Sequence, residues 1–214
     1  MSEPILFGAA YSVYVRAARL ALAEKGVPYR LVEIDIFAPD GPSADYLERH
    51  PFKRIPAFEH DGFRLYEAGA ITRYVDEAFT GLPLMPAAPR ARARANQIIS
   101  IIDSYGYRPL IWDIFVERVR ASAQGRNADE AKIAAAVPKA EMVLRALQAL
   151  ADPGGPYLTG SDVSLADLHA APMFAYFTLA KEGAELLATQ SRLQEWWKAM
   201  RTRPSMAATR SPLE

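Results

Sequence analysis

Four short segments of the chain carry groups able to take part in chemistry. The first contains Ser12, which stands between an apolar run ending at Gly8 and a stretch of helical apolar spacing. A serine at that place is expected to cap the helix N-terminus. The same place offers free backbone N–H groups and the positive end of the helix dipole, which stabilise an anion such as a thiolate. Ser12 is therefore a cap alone, or a cap whose hydroxyl also supports a thiolate.

The second segment is Ile55–Pro56, which leads directly into a strand. A proline there is either the start of an edge strand or a cis proline. A cis peptide makes a tight bend that turns the backbone N–H and C=O of Ile55 outward to a ligand. Both interpretations stay open on the sequence alone.

The third and fourth segments each begin a predicted helix. Glu67 follows a strand and precedes a helix, where the dipole favours a carboxylate and where that carboxylate is able to bind a ligand ammonium. Ser164 and Asp167 have the spacing of a capping box, with Asp in place of Glu. We interpret this last pair as a buried helix start and not as a catalytic pair.

Aromatic residues are concentrated in the second half of the chain, and most are expected to belong to its core. The group comprises Tyr105, Tyr107, Trp112, Phe115, Tyr176 and Phe177. From it we assign Tyr107 and Phe115 to an apolar pocket for a small substrate, together with Tyr11 beside the predicted cap.

The elements that position the first three segments alternate between strand and helix up to residue 80. They are predicted as strand 5–7, helix 13–25 closed by Gly26, strand 29–36, helical turn 45–49, strands 57–59 and 63–66, and helix 70–79. The first three form a βαβ unit, which favours a parallel strand pair. Asp61–Gly62 is a hairpin signal between the two short strands. We therefore predict a thioredoxin-like α/β domain over residues 1–80.

The rest of the chain is predicted to be a linker followed by a domain that contains only helices. Residues 81–89 hold three prolines, and residues 90–214 are predicted to form an all-α domain. Its helices are expected over 90–122, 128–150, 164–180 and 190–203. Pro109 is expected to kink or break the first of them, and Pro138 lies inside the second.

Composition excludes several classes of function. The chain has no cysteine, which removes disulfides, zinc–thiolate sites and any protein-thiol mechanism. Its three histidines lack metal-ligand spacing, so no metal site is expected. The 25 basic residues balance the 25 acidic ones, and nothing favours nucleic acid as a partner. No signal peptide or membrane span is seen, and we expect a cytoplasmic protein that does not bind membranes.

Together these motifs make the chain resemble the cytosolic glutathione transferases, especially their serine-type, phi-like and bacterial members, over nearly its whole length. The resemblance rests on segments 12–16, 50–58 and 66–74 in the first half, and on 157–160 running into 164–167 in the second. It implies the glutathione transferase fold, with an α/β thioredoxin-like N-terminal domain and an all-α C-terminal domain. It also implies that glutathione is the co-substrate.

The resemblance further implies a role for each matched residue. Ser12 takes the place of the thiol-activating serine. The backbone of Ile55, before a cis Pro56, pairs with the cysteinyl part of glutathione. Glu67 holds the γ-glutamyl ammonium and residue 68 its carboxylate. Phe52 matches an aromatic residue that enters a neighbouring subunit in several classes, which implies a homodimer.

Three positions depart from the family pattern. Ala68 replaces the usual Ser or Thr and offers only its backbone N–H, Arg54 replaces Gln, and Asp40–Gly41–Pro42 occupies a loop that usually carries basic residues. Arg54 remains a candidate for a glutathione carboxylate. The leading hypothesis is conjugation of glutathione to small apolar electrophiles. Its alternatives are glutathione-dependent peroxide reduction or isomerisation at the same site, and a binding or scaffolding protein of low activity.

Overall fold

The computed structural model describes residues 2–214 and divides into two compact units. One unit comprises the chain up to Leu84 together with Pro204–Leu213, and the other comprises Met85–Arg203. The predicted domains are residues 1–80 and 90–214, joined by a linker over 81–89. The segment Pro204–Leu213, here called the α10 segment, groups with the first unit.

The first unit contains a four-stranded mixed sheet. Its elements are β1 Ile5–Phe7, α1 Val13–Glu24, β2 Arg30–Val32, α2 Ala44–Leu47, β3 Ala57–His60, β4 Phe63–Tyr66, α3 Ala68–Ala78 and, from the α10 segment, α10 Pro204–Ala208. The strand order is β2-β1-β3-β4. β1 is parallel to β2 and antiparallel to β3, and β3 is antiparallel to β4. The βαβ unit, the Asp61–Gly62 hairpin and the thioredoxin-like order are confirmed.

The predicted strand 29–36 is too long, because β2 ends at Val32. β2 is an edge strand, and its one partner is the three-residue β1. β1 ends where Gly8 turns away toward α1, so residues beyond 32 have no ladder to join. The length of this strand is set by its partner and not by its own alternation.

The second unit is entirely helical, as predicted. It contains α4 Pro89–Ile101, two π-helical segments Ile102–Gly106 and Arg108–Arg120, α5 Ala121–Ala123, α6 Glu130–Leu150, α7 Leu165–Phe177, α8 Lys181–Ala188 and α9 Ser191–Arg201. No helix among residues 2–214 is long and apolar enough to cross a membrane. The same residues contain no group of three or more histidine and carboxylate side chains suited to a metal ion.

Pro109 does not break the helix that was predicted over 90–122. The helical path continues through it, but with π geometry: Tyr107 N–H bonds to Ile102 C=O, and Ala121 N–H bonds to Val116 C=O. A proline lacks the N–H of the α-helical ladder and its ring collides with the carbonyl four residues back. The wider i→i+5 turn removes that carbonyl from the ring's path, and the helix survives as a widened turn.

The predicted helix over 164–180 is wrong at its end, since α7 stops at Phe177 and the unpredicted α8 follows. Gly183 explains the close junction between the two helices. A Cβ at position 183 would lie 1.9 Å from the carbonyl oxygen of Phe177, so only glycine lets α8 approach the end of α7. This glycine was the one signal of the boundary in the sequence.

The start of α7 is the most completely bonded helix terminus in the second unit. Asp167 is 0% exposed and accepts hydrogen bonds from Ser164 N (2.7 Å), Ser164 Oγ (2.7 Å), Leu158 N (2.8 Å) and Trp196 Nε1 (2.8 Å). Burial raises the pKa of this carboxyl and the four donors oppose that rise. The predicted capping box of Ser164 and Asp167 is confirmed, with a structural role.

Candidate functional site

The strand register brings three of the predicted segments to one edge of the sheet. Phe7 pairs with Ala57, and Ala57 pairs with Tyr66. Hence the turn after β1, the Ile55–Pro56 bond before β3 and the residue after β4 leave neighbouring strands at the same end. Strands lie about 4.8 Å apart, so the three segments fall within about 10 Å of one another. These segments contain Ser12, Ile55 and Glu67.

Gly8 allows the closest of these approaches. A Cβ at position 8 would lie 2.4 Å from Val15 Cγ2 and 3.4 Å from Ile55 Cβ. The backbone of Gly8 is therefore in contact with the first turn of α1 on one side and with Ile55 on the other. Any larger residue would push the α1 N-terminus away from the Ile55–Pro56 bend.

Ser12 is the N-cap of α1. Its Oγ accepts a long hydrogen bond of 3.4 Å from Val15 N–H, and its carbonyl accepts the bond of 2.9 Å from Arg16 N–H. Ser12 is half-buried, and its hydroxyl proton has no acceptor among residues 2–214. The cap is thus confirmed, and the O–H remains able to donate to a ligand at the positive end of the α1 dipole.

The peptide bond between Ile55 and Pro56 is cis, which decides between the two sequence interpretations. Within residues 2–214 neither the N–H nor the C=O of Ile55 has a hydrogen-bond partner. The backbone of the preceding residue, Arg54, is held in place, because the buried Tyr46 donates its hydroxyl proton to Arg54 C=O at 2.5 Å. Burial raises the pKa of Tyr46 well above its usual range, so this hydroxyl keeps its proton. This role of Tyr46 was not predicted, because its only signal in the sequence is an aromatic residue in a polar helical turn.

Glu67 occupies the N-cap position of α3 in an unusual backbone conformation. Its φ is 72°, in the left-handed region that L-residues other than Asn and Asp rarely adopt. Its exposed carboxylate makes no cap bond and no ion pair within the described chain, residues 2–214. In the same range the N–H groups of Ala68 and Gly69 have no acceptor, since only Ala70 and Ile71 bond to the Glu67 carbonyl. A strained residue that makes no compensating bond is typical of a functional position.

Two basic or titratable side chains lie beside these groups. The exposed guanidinium of Arg54 makes no hydrogen bond or ion pair among residues 2–214. The His50 ring is buried and packs against Tyr66 with 5.0 Å between ring centroids. Desolvation lowers the pKa of His50, and the Glu67 charge opposes that change. His50 is therefore neutral near pH 7, and Arg54 is the cation available to an anionic ligand.

The three aromatic residues assigned to a substrate pocket have different surroundings. Tyr11 is half-buried and stacks on Phe37 at 6.2 Å within the first unit. Tyr107 is half-buried and meets Trp112 edge to face at 6.4 Å in the second unit. Phe115 is 2% exposed and stacks on Tyr176 at 4.5 Å within the second unit. The contact of these three residues with a substrate stays a prediction.

The arrangement suits a small ligand with an extended peptide backbone, an ammonium group and several anionic groups. The free N–H and C=O of Ile55 match a peptide in strand geometry. The N-termini of α1 and α3 both follow strands that end at this edge, so both positive dipole ends favour anions there. Glu67 supplies a carboxylate for an ammonium. The Ser12 O–H supplies a donor for a thiolate or an oxyanion.

Comparison with known proteins gives a consistent result. Residues 2–77 match the family model of the glutathione S-transferase N-terminal domain, and residues 130–199 match that of the C-terminal domain. Glutathione S-transferase 4 of Zea mays is 31% identical over 202 residues, covering 94% of this chain and 88% of its own. A probable glutathione S-transferase of Oryza sativa subsp. japonica is 27% identical over 99% of both chains. The crystal structure of glutathione transferase F7 from Populus trichocarpa superimposes with a TM-score of 0.84 at 29% identity, covering 96% and 97% of the two chains.

Proposed function

Since the chain belongs to the glutathione S-transferase family, we propose that it joins the thiol of glutathione to small apolar electrophiles, with Ser12 as the activating residue. The chain is a transferase and glutathione is its co-substrate. The finer assignment, a serine-type enzyme of the phi-like subclass, rests on one observation. The Ser12 hydroxyl keeps an uncommitted proton at the N-terminus of α1, at the sheet edge where Ile55 and Glu67 also end.

Glutathione binds along this edge through backbone and charge. Its cysteinyl N–H and C=O pair with the free C=O and N–H of Ile55 as a short antiparallel ladder. The Glu67 carboxylate accepts from the γ-glutamyl ammonium. The free N–H of Ala68 donates to the neighbouring carboxylate, without the side-chain hydroxyl that Ser or Thr would add at position 68. Arg54 is the cation for a second glutathione carboxylate.

The thiolate then forms beside Ser12. The O–H donates to the sulfur and the α1 dipole stabilises the negative charge, so the thiol pKa falls from about 8.5 toward neutrality. The proton leaves to solvent. The sulfur attacks an electrophilic carbon and a C–S bond forms. In a substitution the leaving group departs with the bonding electron pair. In an addition to an unsaturated carbonyl compound the π-electron pair forms an enolate, which takes a proton from solvent. The protein contributes a higher thiolate fraction and the proximity of the two reactants.

Titration of bound glutathione tests this role of Ser12. We expect the thiolate absorbance of the wild-type complex to appear about 1–2 pH units below that of free glutathione, and the Ser12→Ala complex to lose most of that difference. Calorimetric titration of glutathione into both proteins is the control for occupancy. An unchanged midpoint and unchanged turnover in Ser12→Ala would leave Ser12 as a helix cap only.

A panel of electrophiles and hydroperoxides run with glutathione separates the possible reactions. Conjugation predicts turnover of aryl halides and unsaturated carbonyl compounds that depends on Ser12. Turnover restricted to hydroperoxides would replace conjugation by peroxide reduction at the same site. Absence of calorimetric binding at millimolar glutathione would favour a binding or scaffolding protein instead.

Exposed aromatic side chains support the further proposal of a homodimer. Phe52 is 66% exposed and Tyr66 is 38% exposed, and their rings meet edge to face at 6.1 Å. An exposed aromatic pair at the end of the edge strand β4 is typical of a protein–protein contact. We expect analytical ultracentrifugation to show a dimer and Phe52→Ser to shift it to the monomer, and a wild-type monomer would contradict the proposal.

A further inference from the structure

The α10 segment is tied to α1 by side chains at three positions of the helix. Arg16 Nη2 donates to Met206 C=O at 3.1 Å, and Arg16 Nε donates to Thr209 Oγ1 at 3.4 Å. Arg19 Nη1 donates to Thr209 C=O at 3.2 Å, and Ser205 Oγ donates to a Glu24 carboxylate oxygen. Arg16 and Arg19 are i,i+3 neighbours on the surface of α1, and Glu24 lies at the C-terminal end of the same helix, so the α10 segment contacts α1 at both places.

Thr209 is the centre of this set of contacts. It is 2% exposed, and its hydroxyl donates to Ser205 C=O at 2.8 Å while the same oxygen accepts from Arg16. Its carbonyl accepts from Arg19. Arg19 Nε in turn donates to the Tyr29 hydroxyl at 2.9 Å, beside the start of β2. Through Arg19, the α10 segment is therefore linked to the residue before β2 as well as to α1.

Arg16 is a costly residue to place here. Its side chain is 2% exposed, and a buried guanidinium destabilises a protein unless its donors are bonded. Carbonyl and hydroxyl oxygens of the α10 segment supply that bonding. An apolar side chain would fill the same buried space without such a requirement, so the charge ties the position of α1 to the position of the segment.

Arg16 also lies in the first turn after the candidate catalytic serine. Its backbone N–H donates to Ser12 C=O at 2.9 Å, whereas the Ser12 hydroxyl itself is held only by the 3.4 Å bond from Val15. Any rotation or translation of α1 is passed directly to Ser12. A displacement of about 1 Å at a reacting group is enough to cost a large factor in rate.

We propose that the α10 segment is a positioning device for thiol activation, in which Thr209 and Met206 hold Arg16 and thereby place the Ser12 hydroxyl against the glutathione sulfur. The inference rests on the proposed role of Ser12. Arg16 and Thr209 are positioning residues, since they act through Ser12 and not on glutathione.

The experiment compares three threonine variants of the full chain. Thr209→Val removes the hydroxyl at nearly constant volume, and Thr209→Ser keeps it. Thr202→Val is the matched control, because Thr202 is exposed in the second unit and its hydroxyl donates only to Ala199 and Lys198 of its own helix. For each protein the pH midpoint of the bound thiol, kcat/KM, glutathione Kd and Tm are measured, and Ser12→Ala and Ser12→Ala/Thr209→Val complete a double-mutant cycle.

We expect Thr209→Val to raise the midpoint of bound glutathione by about 0.5 pH unit, which leaves about threefold less thiolate at a pH well below that midpoint. kcat/KM falls by the same factor there, while glutathione Kd changes by less than about twofold. Thr209→Ser and Thr202→Val keep the wild-type midpoint. In the Ser12→Ala background Thr209→Val has no further effect on the midpoint, because the hydroxyl that it displaces is absent.

Two results overturn the inference in distinguishable ways. If Ser12→Ala raises the midpoint and Thr209→Val does not, Ser12 activates the thiol without help from the α10 segment. If Ser12→Ala itself leaves the midpoint unchanged, the proposed role of Ser12 fails and the inference fails with it. Should Thr209→Val not fold, Ser205→Ala removes the bond from the α10 segment to Glu24, at the C-terminal end of α1. It should then show a smaller rise of the same sign, and no rise would count against the inference.

Discussion

Two serines cap helices in this chain, and their bonding is opposite. Ser164 is 2% exposed, and both its N–H and its hydroxyl donate at 2.7 Å to the buried Asp167. Ser12 is half-buried, accepts one bond of 3.4 Å, and has no acceptor for its proton among residues 2–214. Both residues begin a helix, and both have extended backbone dihedral angles themselves.

The difference shows that residue type and helix position do not by themselves identify a reactive serine. A neighbouring carboxylate uses the proton of Ser164, so this serine contributes to stability. Nothing in the first unit uses the proton of Ser12, which leaves it for a ligand. The comparison predicts opposite consequences for the two positions, in stability at α7 and in chemistry at α1.

The largest effect on stability should come from Asp167→Ala. It leaves four buried donors without an acceptor, and loss of a buried hydrogen-bonded charge costs about 3–5 kcal/mol. Urea denaturation followed by circular dichroism measures the change. Asp129→Ala is the matched control, because Asp129 caps α6 through one bond of 3.0 Å and should cost about 1 kcal/mol. Equal losses of unfolding free energy in the two variants would show that the four bonds to Asp167 stabilise the fold no more than the single bond of an ordinary helix cap.

Ser12→Ala should give the largest effect on chemistry. We expect kcat/KM for conjugation near pH 6.5 to fall about 10- to 100-fold, while the free energy of unfolding falls by about 1 kcal/mol or less. The 3.4 Å cap bond is long, so little stability is lost with it. Steady-state kinetics with saturating glutathione provides the first value and urea denaturation the second. A loss of stability without a loss of rate would reverse the assignment of the two serines.

Ser164→Ala should show the complementary pattern. Removing a buried hydroxyl that donates to Asp167 leaves that carboxylate with one bond fewer, at a cost of about 1–3 kcal/mol. At a temperature well below Tm, kcat/KM per folded molecule should stay within about twofold of wild type. Active-site titration with a tight glutathione conjugate corrects for the folded fraction. A fall in kcat/KM comparable to that of Ser12→Ala would show that the second unit's cap also affects the chemistry.

The smallest expected change is a gain in stability at a third helix start, that of α3. Glu67→Gly removes a side chain from a left-handed backbone, which should stabilise the fold by up to about 1 kcal/mol. Glutathione Kd should rise at the same time, because the ammonium loses its carboxylate. Lys53→Gly relieves the same kind of strain at φ 55° and should leave glutathione binding unchanged. If both variants bind glutathione as tightly as the wild type does, the Glu67 carboxylate does not hold the ammonium.

Local signals were sufficient for most of the first unit. Asp61–Gly62 specified the hairpin, and Gly26, at φ 66°, ends α1 as expected. The cis state of Pro56 was one of two open interpretations, because the same dipeptide also suits a strand start. The end of β2 depends on the length of its partner strand. The continuation of the helix through Pro109 depends on a widened turn. Neither has a local sequence signal.

The candidate site shows the same division. Ser12, Ile55 and Glu67 were identified from their places between elements, and the register then brought them to one edge. That the polar groups of these residues lack hydrogen-bond partners was not predictable, because a missing hydrogen bond leaves no pattern in a sequence. The supports of the site, Tyr46 under Arg54 and Thr209 under Arg16, also lacked a signal, the second pair being 193 residues apart.

That separation has a consequence for biosynthesis. At the usual 5–20 residues per second, a ribosome adds Thr209 about 10 to 40 s after Arg16. During that interval the bonds from Arg16 to Met206 and Thr209 cannot form. The thioredoxin-like half of the protein therefore completes its native hydrogen bonding only after the helical half has been synthesised.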